Sequence, residues 1–310
     1  MWSPLEDGLS VSGLNLWLQD HVAFELYYLQ RMEAVEAWNK NIAFGTLVQA
    51  GIEGYINSAY NTKGLSRFIQ QEYLKQSEKY ALSEEIARWA RLAVHLTNNF
   101  VDHYQDDINL ISSSEVHYKQ VCTLPSKREI TLHGHLDGVG DKLIFENKVR
   151  GRWSEEKIAE NIQWDLQYNY YCLLFFLTHG HTPETVWYQH IRRPGDFGFR
   201  GPKKRKTEDS DDYQTRLFEH ITNNRDYYFY RFQGAPSQTK LEQFCFASLY
   251  PILEAFLNWY EFVTTESADY NCHHWMTPYG LYNPFVEGTE EKFRNYRLTG
   301  SHIGLKSRDA

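Results

Sequence analysis

The sequence predicts an α/β protein with a helical N-terminal part. Three observations predict it. Apolar residues recur at helical spacing over the first hundred positions, and between 115 and 150 the period shortens to two. A helical run at 155–178 then feeds one more strand-like run at 184–193. With 310 residues the chain could form one large domain or two ordinary ones. No internal repeat or linker divides it, so we read one domain, 1–310. It comprises a helical part (1–110), a sheet with its helix (115–195) and a helical or irregular part (207–310).

The elements follow in order. "LSVSGLNLWLQDHVAFELYYLQRM" opens at a serine cap and carries apolar residues at helical spacing. "GTLVQAGIEGYINSAYN", residues 45–61, is a helix whose buried stripe is Leu47, Ile52, Tyr55 and Ile56, and another helix runs from Ser83 to about Tyr104. "EVHYKQVCTL" (115–124), "REITLHGHLDGV" (128–139) and "KLIFENKVR" (142–150) are strands, joined by "PSK" and by a tight Gly140-Asp141 turn. Helix returns over 155–178, followed by the strand "ETVWYQHIRR" and the loop "PGDFGFRGPKKRKTEDSDD". A helix, the strand "DYYFYRF" and a long helix over 237–265 come next, and the last forty residues read as irregular.

Composition narrows the class. Apolar residues make up 42%, aromatic 16% and charged 23%, as in a soluble folded chain rather than a disordered one. The longest apolar run, "CLLFFL", is too short to span a bilayer, so no membrane association is expected. "MWSPLEDGLSVSG" has neither the basic segment nor the apolar core of a signal peptide. Cys122, Cys172, Cys245 and Cys272 show no metal-ligand spacing and read as reduced thiols of a cytoplasm. A net charge of −8 argues against indiscriminate coating of nucleic acid, but leaves room for a local basic groove.

The chemistry concentrates in "HLDGVGDKLIFENKV". Strand alternation puts Thr131, His133, His135 and Asp137 on one face, and Ile144, Glu146 and Lys148 on one face of the next strand. Across the hairpin Asp137 and Glu146 can converge. Two such carboxylates repel unless a divalent cation lies between them, and hard oxygen ligands suit Mg²⁺ or Mn²⁺. Lys148 stays on the same face, where it can orient or deprotonate a water, or neutralise charge on a phosphorane-like transition state. The competing reading is a solvated strand face with a Glu–Lys pair. His133 and His135 could touch phosphate or be ordinary hydrogen-bonded residues.

Asp137 followed by Glu146-Asn147-Lys148 resembles the signature of the PD-(D/E)XK nuclease superfamily. "WDLQYNYYCLLFFL" is similar to the helix motif after the catalytic lysine in the RecB nuclease domain, with Gln167 and Tyr171 as the matching residues. Gln163, one turn earlier, is a further candidate. "FGTLVQAGIEGYI" resembles the upstream helix motif of the same group. Gln49 stands there in place of a metal-binding histidine, and Glu53 lies one turn later. Gln49 reads either as a ligand through its amide oxygen or as a polar packing residue. The opening helix resembles that of the AddB-like and CRISPR-associated iron–sulphur exonucleases, but Asp20 and His21 replace the cysteine and proline. "NCHHWMTPYGLYNPF" keeps one cysteine, Cys272, where cluster-bearing members have three. The motifs cover roughly 10–195 in the family's order.

The resemblance implies a restriction-endonuclease-like core: a central mixed sheet flanked by helices. It also implies a Mg²⁺- (or Mn²⁺-) dependent DNA nuclease of the RecB/AddB-like branch without an iron–sulphur cluster. The expected activity is an exonuclease in recombination or repair, in a bacterial or phage-infected cytoplasm. DNA is its expected substrate, and a single-strand annealing or recombination protein its expected partner. Asp137 and Glu146 would hold metal, with Gln49 and Glu53 as further ligands, and Lys148, Gln167 and Tyr171 would assist. The alternatives are a structure-specific endonuclease on the same core and an inactive nuclease fold serving as a DNA-binding or scaffold protein.

Arg150 and Arg152 follow the lysine directly. Between 192 and 206, Arg192, Arg193, Arg200, Lys203, Lys204, Arg205 and Lys206 set seven cations against one acid, Asp196. This is the best phosphate-contacting stretch of an otherwise acidic chain, or else a solvated loop.

Overall fold

The computed structural model describes residues 2–34, 39–80, 83–151, 153–194, 202–265 and 305–307. In chain order the elements are β1 (Leu9–Ser10), α1 (Val11–Gln19), α2 (His21–Phe24, continued by a π-helical turn to Leu29) and β2 (Met32–Ala34). Helices α3 (Lys40–Asn57), α4 (Thr62–Tyr80), α5 (Ser83–His103) and α6 (Gln105–Ile108) follow. Then come β3 (Ser113–Thr123), β4 (Glu129–Val139), β5 (Leu143–Arg150), α7 (Glu155–Asn161), α8 (Leu166–His179) and β6 (Thr185–Arg192). Last are α9 (Ser210–Asn223), α10 (Arg225–Tyr228), β7 (Phe229–Gly234), α11 (Gln238–Phe244), α12 (Tyr250–Thr265) and β8 (Leu305–Ser307). Among the described residues no helix is long and apolar enough to cross a membrane.

The chain folds into two compact units that interleave along the sequence. One comprises 1–37, 118–134 and 238–310, the other 38–117 and 135–237. The divisions read from the sequence at 110, 115–195 and 207 therefore do not coincide with those of compactness.

In the first unit β1 pairs parallel with the N-terminal half of β4, Leu9 opposite Leu132, and β2 pairs antiparallel with β8. The opening helix is two helices. Ser10 caps α1 through Gly13 N at 3.1 Å, and Asp20 ends it and caps the next with a carboxylate bond from Ala23 N at 3.1 Å. A capping acid competes with the helical ladder for those amides, which splits a run of continuous helical periodicity. Trp2, Phe24 and Phe256 meet edge to face. Arg128 pairs with Glu254 and donates to Asn258 Oδ1 at 2.8 Å. Cys122 and Cys245 are buried, which pushes both thiols up and keeps them protonated. Cys272 and its "NCHHWMTPYGLYNPF" surroundings lie outside the described residues.

The second unit is α/β, with a mixed sheet flanked by helices. The C-terminal end of β4 pairs antiparallel with β5, Gly138 opposite Phe145. β5 pairs parallel with β6, Lys148 opposite His190, and β6 pairs antiparallel with β7. Gly140 N donates to Leu143 O at 2.9 Å and closes the expected tight turn. One sheet face, with Phe145, Trp187 and Ile191, joins Phe44, Leu47 and Val48 of α3 and Leu96 and Phe100 of α5 in a single core. Helix α8 faces the other side, its Tyr168 ring 6.4 Å from that of Tyr188.

Helices α3 and α4 approach through glycine. A Cβ on Gly54 would lie 2.6 Å from Phe68 Cβ and 2.7 Å from the Gly64 carbonyl oxygen. Backbone cannot yield as a flexible side-chain tip does. Gly54→Ala is therefore expected to lose ~1–3 kcal/mol of stability despite alanine's higher helix propensity. Urea unfolding checks this, and a stabilised variant would refute it.

Candidate functional site

Asp137, Glu146 and Lys148 meet where β4 and β5 part. The last paired residues are Gly138 and Phe145, and beyond them side chains replace the ladder. Asp137 Oδ2 accepts from Asn147 N at 2.6 Å, and Glu146 Oε1 accepts from Asp137 N at 3.3 Å. Each carboxylate thus caps the other strand's backbone, which holds both acids at the fork. Lys148 Nζ is 3.4 Å from Glu146 Oε2 and 5.7 Å from the Tyr188 ring centroid.

The face is less wet than strand alternation suggests. Glu146 is 1% exposed, Asp137 is half-buried, and the Lys148 side chain is 23% exposed. This is not the solvated strand face of the competing reading, because α8 packs against Glu146 there. Asp165 caps α8, its Oδ1 accepting from Tyr168 N at 2.9 Å, and so places Gln167 in the first turn. Gln167 Nε2 donates to Glu146 Oε2 at 3.3 Å, and its Oε1 accepts from the Tyr188 hydroxyl at 3.4 Å. Tyr171 is buried one turn on; burial, then Glu146, raises its hydroxyl. The same cap breaks the run read as one helix over 155–178. Gln163 therefore sits in a short 3₁₀ turn before the break, not on the Gln167 face, and its carbonyl accepts from Asn169 Nδ2 at 2.9 Å.

Burial raises both acids. Glu146 is held well above the usual carboxylate range by burial first and Asp137 second, with Lys148 opposing. Asp137 rises through burial, then through the Glu115 charge, against Lys148 and the Asn147 amide. Two buried carboxylates that resist ionising together are the signature of a shared proton or a shared cation.

Gln49 and Glu53 lie on α3. Gln49 borders the same cleft as Asp137 and Lys148, and its Nε2 donates to Glu115 Oε1 at 2.8 Å. Glu53 accepts from Asn57 at 3.4 Å, and it rises through burial and then through Glu115. Glu115 itself was not legible in the sequence. Its φ of 51° puts a non-glycine residue in the left-handed region, at a cost of ~1–3 kcal/mol, within an otherwise extended strand. Among the described residues no three His, Cys, Asp or Glu side chains converge as a ready-made metal cage. Mg²⁺ does not require one, because it keeps several waters and binds through one or two carboxylates. Asp137 and Glu146 are the hard-oxygen side chains at the fork that could hold such an ion.

Of the cations, Arg150 and Arg193 line the cleft with Lys148. Arg192 turns away: its Nε donates to Tyr227 O at 2.9 Å, and its guanidinium lies over Trp153 at 4.3 Å and Tyr227 at 4.4 Å. Lys203, Lys204, Arg205 and Lys206 are exposed and do not border the cleft. Lys204 Nζ donates to Ser210 Oγ at 2.9 Å, and Glu208, which receives the Arg205 amide at 2.9 Å, pairs with Arg216. Arg152 and Arg200 lie outside the described residues. His135 is exposed and stacks on His117 at 4.4 Å, and His133 is half-buried. Tyr188 and His190 are site neighbours that sequence reasoning missed, brought in by the parallel register of β6 on β5. The signal was non-local.

No family model matches the chain, and no curated protein matches it. Among solved structures, the crystal structure of SSO0001 aligns over 88% of this chain and 94% of that one, at 12% identity and a TM-score of 0.31. A likeness that shallow carries no argument about fold or function.

Proposed function

We propose that the chain is a Mg²⁺-dependent deoxyribonuclease built on a PD-(D/E)XK-like core, working as an exonuclease in recombination or repair. The observation that supports it is the convergence of Asp137, Glu146, Lys148 and Gln167 on one buried fork, with both carboxylates raised by burial first, and then Glu146 by Asp137 and Asp137 by Glu115. Asp137 and Glu146 would hold Mg²⁺ or Mn²⁺, with Gln49 beside them in the cleft. When bound, the ion acidifies a water and offsets charge on the phosphate. Lys148 places a positive charge where the phosphoryl oxygens gain negative charge. Gln167 fixes Glu146 from the α8 side, and Tyr188 holds the Gln167 amide in that orientation. The water oxygen bonds to phosphorus as the bond to the leaving sugar oxygen breaks, and the water's proton passes to that leaving oxygen.

The test incubates the protein with end-labelled linear DNA and covalently closed circles, in Mg²⁺, Mn²⁺ or EDTA. Linear DNA is expected to be degraded in Mg²⁺ and spared in EDTA, with closed circles resistant. Cleavage of the circles without a nicking lag would promote the endonuclease alternative. Tight DNA binding with no cleavage in either metal would promote the scaffold alternative.

Neutralising Lys203, Lys204, Arg205 and Lys206 together is expected to flatten the salt dependence of duplex binding by ~0.9 for each phosphate no longer neutralised. An unchanged slope would assign these exposed side chains to solvent alone.

A further inference from the structure

We infer that the cleft beside Lys148 contains a second phosphate subsite, built by Asn147 with Arg150 and Arg193, which takes a phosphodiester next to the one being cleaved. The identity of the ligand as nucleic acid rests on the nuclease reading; the anion site rests on the residues themselves.

Asn147 stands between Glu146 and Lys148, so the pleat sends its side chain to the opposite face of β5. That is the face of Phe145 and Val149, packed against α3, where an apolar residue would be the ordinary occupant. The position instead holds an amide that is 7% exposed, with neither Nδ2 nor Oδ1 hydrogen-bonded. A buried amide without partners costs stability, and a native chain carries few such groups. This one borders the cleft.

The same cleft, of about 770 Å³, is bordered by two arginines. Arg150 ends β5, and Arg193 follows β6 directly, its backbone N–H donating to Arg150 O at 2.9 Å. Among the described residues neither guanidinium has a carboxylate partner, and Arg193 Nε is buried without an acceptor. Burial also lowers the proton affinity of Arg193, because its charge is desolvated with no counter-ion to offset the cost. Arg192, one residue earlier, is fully engaged by Tyr227 and Trp153 and so is no part of this set. The acid bordering the cleft is Asp137, already committed to the Asn147 backbone N–H. What remains is a set of N–H donors, Asn147 Nδ2 among them, with surplus positive charge and no anion beside it but Asp137. A phosphate, which offers acceptor oxygens only, complements it. Ile42, 57% exposed on the α3 side of the cleft, gives the attached sugar or base an apolar surface.

The test compares wild type, Asn147→Leu and Arg193→Met in EDTA, where nothing is cleaved. Two probes are used: a fluorescein-labelled single-stranded oligonucleotide followed by anisotropy, and inorganic pyrophosphate followed by thermal unfolding. Arg193→Met should reduce the salt slope of oligonucleotide binding by ~0.7. Asn147→Leu should weaken binding about tenfold while raising Tm, because a bond made only with ligand is lost and an unpaired buried amide is removed. A structural amide would do the reverse. A lower Tm with unchanged affinity, an unchanged slope for Arg193→Met, or no binding of either probe by wild type would each overturn the subsite. If wild type cleaves DNA yet neither substitution alters binding, the subsite alone falls. If pyrophosphate stabilises wild type but neither variant, and no DNA is cleaved, the subsite stands and the nuclease reading falls.

Discussion

Lys148→Ala is expected to reduce Mg²⁺-dependent cleavage by ~10²–10³-fold or more while leaving the fold intact. Two consequences of the geometry combine. The variant loses the positive charge that would face the phosphate on the proposed reading, and Glu146 loses the cation 3.4 Å from its Oε2. That cation opposes the burial and the Asp137 charge that raise Glu146, so without it Glu146 holds its proton more tightly and is a poorer ligand for metal. Fold integrity follows from the same fact. A buried acid that can take a proton need not stand as a bare charge, so the usual penalty for breaking a buried ion pair is relieved by neutralisation. Gln167 still donates to the same oxygen. Asp137→Ala should be as inactive, by removing a hard-oxygen ligand outright. The measurement is single-turnover cleavage of linear DNA, with circular dichroism as the fold check. Cleavage by both variants at the wild-type rate would dismiss this site.

The parts legible in the sequence were those set by local periodicity. The β3–β4–β5 segment appeared within two residues of its observed bounds because alternation and the Gly140 turn are local signals. The i, i+4 pair Gln167–Tyr171 fell on one helix as expected. What failed was decided by single capping acids. Asp20 and Asp165 each divide a run whose apolar spacing is continuous, and the second moves Gln163 out of the site. What could not be read was decided by register between distant strands. Tyr188 and His190 enter because β6 lies parallel to β5. Glu115 enters through a left-handed backbone that no composition signals. The arginines show the same division: Arg192 and Arg193 are equivalent in sequence, but one residue of pleat turns the first onto aromatic rings and the second into the cleft.

In EDTA, Glu146→Gln is expected to be more stable than wild type at about pH 8, with the difference shrinking as pH falls toward ~4. The sign follows from proton counts. Asp137 and Glu146 both hold protons more tightly folded than unfolded, so above the ordinary carboxylate range the native state binds more protons than the unfolded one. Stability from this pair is therefore fully present at low pH and is lost as pH rises through the folded values. Each tenfold gain in proton affinity is worth about 1.4 kcal/mol at the high-pH end. Glutamine keeps the shape and the bond from Gln167 and carries no proton to lose. His190 works in the opposite direction: burial, then Arg150 and Lys148, lower it to about 4, so its contribution is lost as pH falls from its ordinary value toward 4. It is present in both proteins and cancels in their difference. Mg²⁺ should invert the order near pH 8. It binds the deprotonated pair and stabilises wild type by an amount that grows as the logarithm of its concentration over Kd, while the variant has lost a ligand and responds little. Thermal unfolding across pH, with and without Mg²⁺, reads both effects. If Glu146→Gln is instead the less stable protein at pH 8 in EDTA, Glu146 is an ionised partner of Lys148 in an ordinary buried ion pair. The fork between β4 and β5 would then be held by that pair rather than waiting for a metal.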